Sequence, residues 1–498
     1  MSAPTLEALR TEDGRAIRHG RRDHPWRVLA VLSVAQLMVV LDATVVNIAL
    51  PHAQSALGFG DAGRQWIVTS YALAFGSLLL LGGRLSDLIG RRTSLLIGVF
   101  GFAAASAIGG AANGFAMLVI ARAAQGVFGA LLAPAIIASL TTTFDDPVQR
   151  TRAFGVFGAV ASSGAGVGLL LGGVLTQYLS WRWCLYVNVP VSILAAFGIL
   201  TFLSKDERDH AARLDLPGTF VVTGALVAIV YGFSRAESHG WSDSVTLVMF
   251  ALGVIGLAAF VLIERHVSHP LLPLHVVLDR ARGGSYVTFA FAGIGMFGVF
   301  LFLTYYLEGS LGYSPVKTGF GFLPFIAGIL VASNGPATRL QLRFGKRGLM
   351  TAGMALSAVG LVLLTRIDVH SSYWSYVLPS MLMIGFGIGA VFPPGLDYAT
   401  GGVSDDDAGV AGALLNVTQQ VGGAIGIAML NTIALSAAAN YISAHPGEPD
   451  AVARGNIHSY IVAFWWGAAI FAIGAVVTRL LLPKHAAPPA DGAAFVHH

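Results

Sequence analysis

The stretch Val28-Leu-Ala-Val-Leu-Ser-Val-Ala-Gln-Leu-Met-Val-Val-Leu-Asp42-Ala-Thr-Val-Val-Asn-Ile-Ala-Leu50 decides how this chain is read. It holds a single formal charge, Asp42, and no other Asp, Glu, Lys or Arg lies between Arg27 and Asp61. A helix needs roughly 20 apolar residues to cross a bilayer, and this run supplies them. A secretory signal also begins with a polar, basic segment, but its apolar region is only about 7–15 residues. The run therefore reads as a first span that stays in the protein. An ionised carboxylate at membrane depth costs about 2.5–3.5 kcal/mol on insertion scales. A residue kept at that cost faces a water-filled path or a partner charge, and it can titrate.

The rest of the composition agrees. Hydrophobic residues are 55% of the 498, charged residues 11%, and the mean hydropathy is +0.71. Soluble globular chains run near 25% charged. The expected class is an all-α polytopic membrane protein. The single cysteine, Cys184, rules out an intramolecular disulfide and a cysteine-cluster metal site, and neither metal nor cofactor is expected. The sequence pI near 9.2 does not point to nucleic acid, because the basic residues lie between the spans, where they orient the chain.

Apolar runs place fourteen helices at roughly 27–50, 64–82, 94–112, 114–138, 152–178, 184–203, 215–235, 244–264, 284–307, 317–336, 348–366, 373–396, 407–435 and 460–482. An even count puts both termini on one side. With the N-terminus in the cytoplasm, 23 Lys and Arg fall in cytoplasmic segments and 6 in outer ones, while Arg122 lies within a span. That bias predicts a multi-pass protein of the cell membrane with both termini inside.

A weak internal repeat divides the chain. The loop Gly83-Arg-Leu-Ser-Asp-Leu-Ile-Gly-Arg-Arg92 follows span 2, and Thr338-Arg-Leu-Gln-Leu-Arg-Phe-Gly-Lys-Arg347 follows span 10. At an offset of 255 residues, Arg84, Leu85, Gly90, Arg91 and Arg92 meet Arg339, Leu340, Gly345, Lys346 and Arg347. Asp87 meets Leu342, so the second copy is degenerate. Parallel repeats of this kind build some secondary transporters. The expected division is a tail 1–26, a six-helix bundle 27–204, two inserted helices with linkers 205–283, a second six-helix bundle 284–482 and a tail 483–498.

Depth arithmetic connects the two intramembrane charges. Asp42 is nine residues before Pro51, and Arg122 is nine residues after Asn113. At 1.5 Å per residue both lie about 13 Å below the outer surface, on antiparallel spans. Arg122 then holds Asp42 charged, and a proton or a cationic substrate competes for the carboxylate. The simpler alternative is a permanent structural ion pair. Glu308 and Asp397 are the other carboxylates near span edges, and each reads either as an accessory acidic site or as a solvated boundary residue.

With these residues on the page, the chain resembles the major facilitator superfamily, and within it the fourteen-helix drug–proton antiporter family. The resemblance rests on Leu41-Asp-Ala-Thr-Val-Val-Asn-Ile-Ala-Leu-Pro51, the 83–92 loop, Arg122-Ala-Ala-Gln-Gly126, a glycine series ending Gly164-Ala-Gly-Val-Gly168-Leu-Leu-Leu-Gly172-Gly173, Trp181-Arg-Trp183, Asn188-Val-Pro190 and Leu415-Asn-Val-Thr-Gln-Gln-Val-Gly-Gly-Ala424. It implies the major facilitator fold, with spans 7 and 8 inserted between two bundles. It implies proton coupling through Asp42 and Arg122, and a central substrate cavity touched by Asn47, Gln125, Asn416 and Gln419. It also implies a conformational lock made by Gly83, Asp87, Gly90, Arg91 and Arg92. One position departs: Leu169 follows Gly168 where antiporters of this family carry proline, which leaves the direction of transport open.

The function that follows is secondary active transport: proton-coupled efflux of amphipathic, lipophilic or cationic compounds by alternating access. The implied partners are a small-molecule substrate, protons and membrane lipids, with the chain acting as a monomer. A lipid or cell-envelope precursor transporter on the same fold is the alternative, and a membrane receptor or scaffold is the alternative of another class. An enzyme is not expected, since no Gly-x-Ser-x-Gly elbow or His-Glu-x-x-His helix occurs. A primary pump is disfavoured by the lack of a Gly-x4-Gly-Lys-[Ser/Thr] loop.

Overall fold

The computed structural model describes residues 24–144, 146–204, 215–267, 270–272, 274–334, 336–369, 371–401, 408–446 and 448–484. Most of the two expected tails therefore lies outside the described residues. The first half contains α1 (Pro25–Leu57), α2 (Asp61–Ile89), α3 (Arg91–Gly110), α4 (Phe115–Thr143), α5 (Pro147–Tyr178) and α6 (Asn188–Phe202). Next come α7 (Leu216–His239) and α8 (Ser244–His266). The second half contains α9 (Arg280–Tyr305), α10 (Pro315–Gly321 and Leu323–Asn334), α11 (Pro336–Leu364), α12 (Leu378–Thr400), α13 (Ala408–Ala444) and α14 (Ala451–Leu481). No strand occurs among the described residues. Eleven of the described helical segments are long and apolar enough to cross a membrane. Shorter apolar stretches, Trp66–Leu79, Gly166–Tyr178 and Pro217–Phe233, stand where hydropathy places spans 2, 5 and 7. The set is consistent with fourteen crossings.

Local chemistry sets the helix ends. Asp146, Asp215, Asp243 and Asp279 each accept a backbone N–H at the start of a helix, satisfying donors that helix geometry leaves unpaired. Gly90 (φ 90°) separates α2 from α3, and Gly345 (φ 72°) kinks α11 near its start. Only glycine takes these angles without strain. The kink lets the stretch expected to be a loop, 338–347, coil into the beginning of α11.

These glycines occupy equivalent places in the repeat, and side-chain contacts follow the same offset. Arg91 donates to Thr142 Oγ1 at 2.9 Å, and Lys346 pairs with Asp397 at 3.4 Å. Arg92 donates to the Leu200 carbonyl near the end of α6, as Arg347 does to the Leu482 carbonyl just past α14. Each bundle thus ties the turn before its third helix to its fourth and sixth helices with basic side chains.

Within the first bundle, α2 and α3 pack on α4, and α1 packs on α5 and α6. Within the second, α11 packs on α12 and α14, and α9 on α13 and α14. The bundles meet along two seams, α2 with α13 and α5 with α10. α7 closes one flank: Leu226 and Val230 share a core cluster with Ala72 and Leu73 of α2 and Ala424 and Ala428 of α13. α8 packs chiefly on α7 and exposes Leu247, Leu252, Val254, Ile255 and Leu262. An apolar exterior of this kind suits lipid as solvent.

Candidate functional site

Asp42 stands in the middle of α1, among helices α1, α2, α3, α4 and α6. Its Oδ2 accepts Arg122 Nη1 at 2.5 Å, and its Oδ1 accepts Gln125 Nε2 and Asn188 Nδ2, each at 2.7 Å. Arg122 and Gln125 are three residues apart on α4, which puts both on one helix face. Asn188 opens α6. Ser106 of α3 accepts a second contact from Gln125 at 2.7 Å and from Asn188 at 3.3 Å. Arg122 also donates Nε to the Ile67 carbonyl at 3.2 Å and lies 4.4 Å above the Tyr71 ring.

Three donors converge on the one carboxylate. The guanidinium in turn has carboxylate, amide, carbonyl and ring around it, so neither charge is left unpaired in the bundle. Arg122 and Gln125 sit on α4 and Asn188 on α6, and both helices pack on α1 and α3, so the carboxylate's contacts join three elements of the bundle.

The resemblance puts Gln125 in the substrate cavity; in the structure Asp42 and Gln125 are both 0% exposed. A buried charge gathers the polar groups around it, because each would otherwise lose its hydrogen bonds. Gln125 therefore belongs to the carboxylate network. Asn47 is half-buried and donates back to the Ala43 and Thr44 carbonyls. Asn416 is exposed on α13 and Gln419 half-buried there.

The glycine series has two faces. Gly164, Gly168 and Gly172 approach α1: a Cβ on Gly164 would lie 2.8 Å from Leu37 and one on Gly168 2.0 Å from Thr44 Oγ1, while on Gly172 it would lie 3.0 Å from the Val45 carbonyl oxygen. Gly173 faces α10, where a Cβ would lie 2.6 Å from the Pro315 carbonyl oxygen. Leu169, standing in place of the family's proline, is fully buried, and its carbonyl is the surface against which Gly319 packs.

Gly83 is half-buried within α2, and Gly90, Arg91 and Arg92 make the turn and tethers described above. Asp87 lies on α2, and its side chain is outside the described set. Asp397 is 52% exposed beside Lys346. Glu308 differs from the expected boundary carboxylate. Its side chain is 9% exposed, in the π-turn Tyr306–Ser310 that ends α9, and it lies 3.8 Å from His52 of α1. The widened turn carries the acid inward to the junction of the two bundles.

Sequence reading missed Ser106, Asn188 and Tyr71. Asn188 stood in a quoted motif, but its place before α6 gave no depth that linked it to Asp42. Ser106 and Tyr71 carry no signal in a single sequence, since apolar helices routinely contain Ser and Tyr.

The family model for the Major Facilitator Superfamily matches residues 32–427. The chain belongs to the major facilitator superfamily. It is 48% identical over 482 residues to the puromycin resistance protein pur8 of Streptomyces alboniger, covering 96% of this chain and 95% of that protein. It is 36% identical to the cephamycin export protein CmcT of Amycolatopsis lactamdurans, covering 94% of each. Among solved structures, an auto-inhibited peptide transporter of the POT family aligns over 91% of this chain and 96% of its own, with TM-score 0.65 and 17% identity, which supports the fold alone. As a major facilitator, the chain is a multi-pass membrane transporter of small molecules and not an enzyme.

Proposed function

We propose that this protein exports amphipathic, lipophilic or cationic compounds from the cytoplasm by alternating access, driven by proton entry. The observation that carries the proton coupling is the Asp42 network: a membrane-buried carboxylate whose three donors come from α4 and α6. Protonation releases those donors, and a change in helix packing follows. The cargo class is supported by the relatives, which are named for puromycin resistance and cephamycin export.

In this reading both termini are cytoplasmic, so the 83–92 and 338–347 segments face the cytoplasm, and Glu308 and Pro315 mark the outer end. The bundles are residues 27–204 and 284–482, with 205–283 inserted, and the working unit is a monomer in the cell membrane. Asn47, Asn416 and Gln419 are the polar side chains assigned to the substrate path. Asp87 and its neighbours form the lock.

The test is transport in reconstituted vesicles under an imposed pH gradient, screened with cationic dyes, puromycin, neutral drugs and labelled lipids. Gradient-dependent movement of drugs or dyes supports export. Movement of labelled lipid alone replaces this reading with the lipid-transporter alternative.

A further inference from the structure

The inserted helix pair holds two buried carboxyl groups that the Asp42 network does not use. Asp215 caps α7 and Glu264 sits in the last turn of α8, and each is 4% exposed. Asp215 Oδ1 accepts the Gly218 N–H at 2.9 Å, and Glu264 Oε2 accepts the Leu272 N–H at 2.9 Å. Their other oxygens, Asp215 Oδ2 and Glu264 Oε1, have no hydrogen-bond partner. Both border one small space: a Cβ on Gly218 would lie 2.1 Å from Asp215 Oδ2 and 3.0 Å from Glu264 Oε1. The bareness of Gly218 lets the two acids face each other.

Among the described residues no cation pairs with either acid. On α2, Arg84 is engaged with the Pro270 carbonyl at 3.2 Å. On α8, Arg265 and His266 are exposed, and α13 contains no charged residue. The side chain of Asp87, on α2, is outside the described set. Two buried carboxylates that border one space repel each other when both are ionised, and an orphaned buried oxygen costs about 1–3 kcal/mol. One proton removes both penalties, because a carboxyl O–H on one acid donates to the free oxygen of the other.

We infer that Asp215 and Glu264 share a single proton and form a second proton-binding site, separate from Asp42, that holds the inserted hairpin against the lock turn. Glu264 is bonded to Leu272, and Pro270, two residues earlier, is bonded to Arg84. Arg84 lies near the end of α2, six residues before the turn at Gly90, and α7 packs at the α2–α13 seam. Loss of the shared proton leaves two like charges, pushes the start of α7 from the end of α8, and loosens the connection that Arg84 grips. The ordinary role of an N-cap explains Oδ1 of Asp215 but not the orientation of Oδ2.

The regulatory part of this inference rests on the transport reading; the proton itself does not. Asp215→Asn retains a good N-cap, and Glu264→Gln retains an acceptor for Leu272. In each, an amide donor stands permanently where the shared proton stood. Infrared difference spectra of the purified full-length protein across a pH titration should show a protonated carboxyl band that shifts in D2O and is lost in both variants. In vesicles, raising the pH on the Arg84 side should slow wild-type transport several-fold and leave both variants unaffected. A band that survives in both variants would falsify the shared proton, whether or not transport occurs. Wild-type pH dependence retained in both variants would overturn the link to the lock turn. Dependence of the wild type, but not the variants, on sodium or calcium at fixed pH would assign the pair to a metal cation instead.

Discussion

His52 of α1 and Glu308 at the end of α9 form a contact between the two bundles, with Nδ1 and Oε2 3.8 Å apart. It stands at the same end as Arg64 of α2, which lies 4.2 Å over the Tyr305 ring, and as the Val316 N–H, which donates to Gln177 of α5. All three links tie the first bundle to the second, so this end is closed. Alternating access requires that they break together.

Glu308→Gln should therefore favour opening at this end. His52 is 45% exposed, which limits the pair to about 1 kcal/mol, or roughly a fivefold change in the balance of states. His52→Gln should act in the same direction, and the double variant should be no more open than either single one. Accessibility of this end to a membrane-impermeant thiol reagent, read at a cysteine introduced at Gln177, measures the balance. The native Cys184 is fully buried and stays silent. Additive effects would show that the two residues act independently.

Asp42→Asn should abolish proton-driven transport and also weaken the first bundle. Asn cannot titrate, and it leaves Arg122, 1% exposed, without its counter-charge. Removing one member of a buried pair costs about 3–5 kcal/mol. Pairing the change with Arg122→Gln should restore much of the thermal stability in detergent without restoring transport. Recovery of pH-driven uptake in the double variant would make the pair a structural one.

The fold was legible because bilayer thickness and charge bias are written into the chain at coarse scale. The run around Asp42 and the Gly90/Gly345 repeat carried most of that reading. Depth arithmetic also joined Asp42 to Arg122, since a helix has a fixed rise. It gave no rotation about the helix axis, so the enclosure of Asp42 and Gln125 was illegible. Asn188 and His52 depend on how α6 and α9 meet α1, which no local spacing encodes. Asp215 and Glu264 look like ordinary span-end acids until the α7–α8 hairpin folds.

Asp87→Asn should slow turnover about tenfold, equivalent to about 1.4 kcal/mol, while substrate binding in detergent persists. The expectation rests on its position on α2, five residues from Arg92, at a turn whose basic side chains already tether α4 and α6. A matching fall in binding affinity, with the accessibility of each end unchanged, would count against a lock.

Gly173→Ala tests the seam between α5 and α10 directly. The added methyl would meet the Pro315 carbonyl oxygen at 2.6 Å and Val316 Cα at 2.8 Å, both backbone atoms with no rotamer to yield. Overpacking of this kind costs about 1–3 kcal/mol, and the strain exists only while the two helices touch. The variant should shift the protein toward the state in which this end is open, by roughly 5–150-fold, without lowering the stability of the first bundle. Gly172→Ala is the control. Its methyl would approach Val45 of α1, inside the same bundle, and should lower thermal stability without favouring either state. Increased labelling at position 177 in Gly173→Ala, with none in Gly172→Ala, is the expected pair of results. Equal labelling in both would mean that the α5–α10 contact does not hold this end closed.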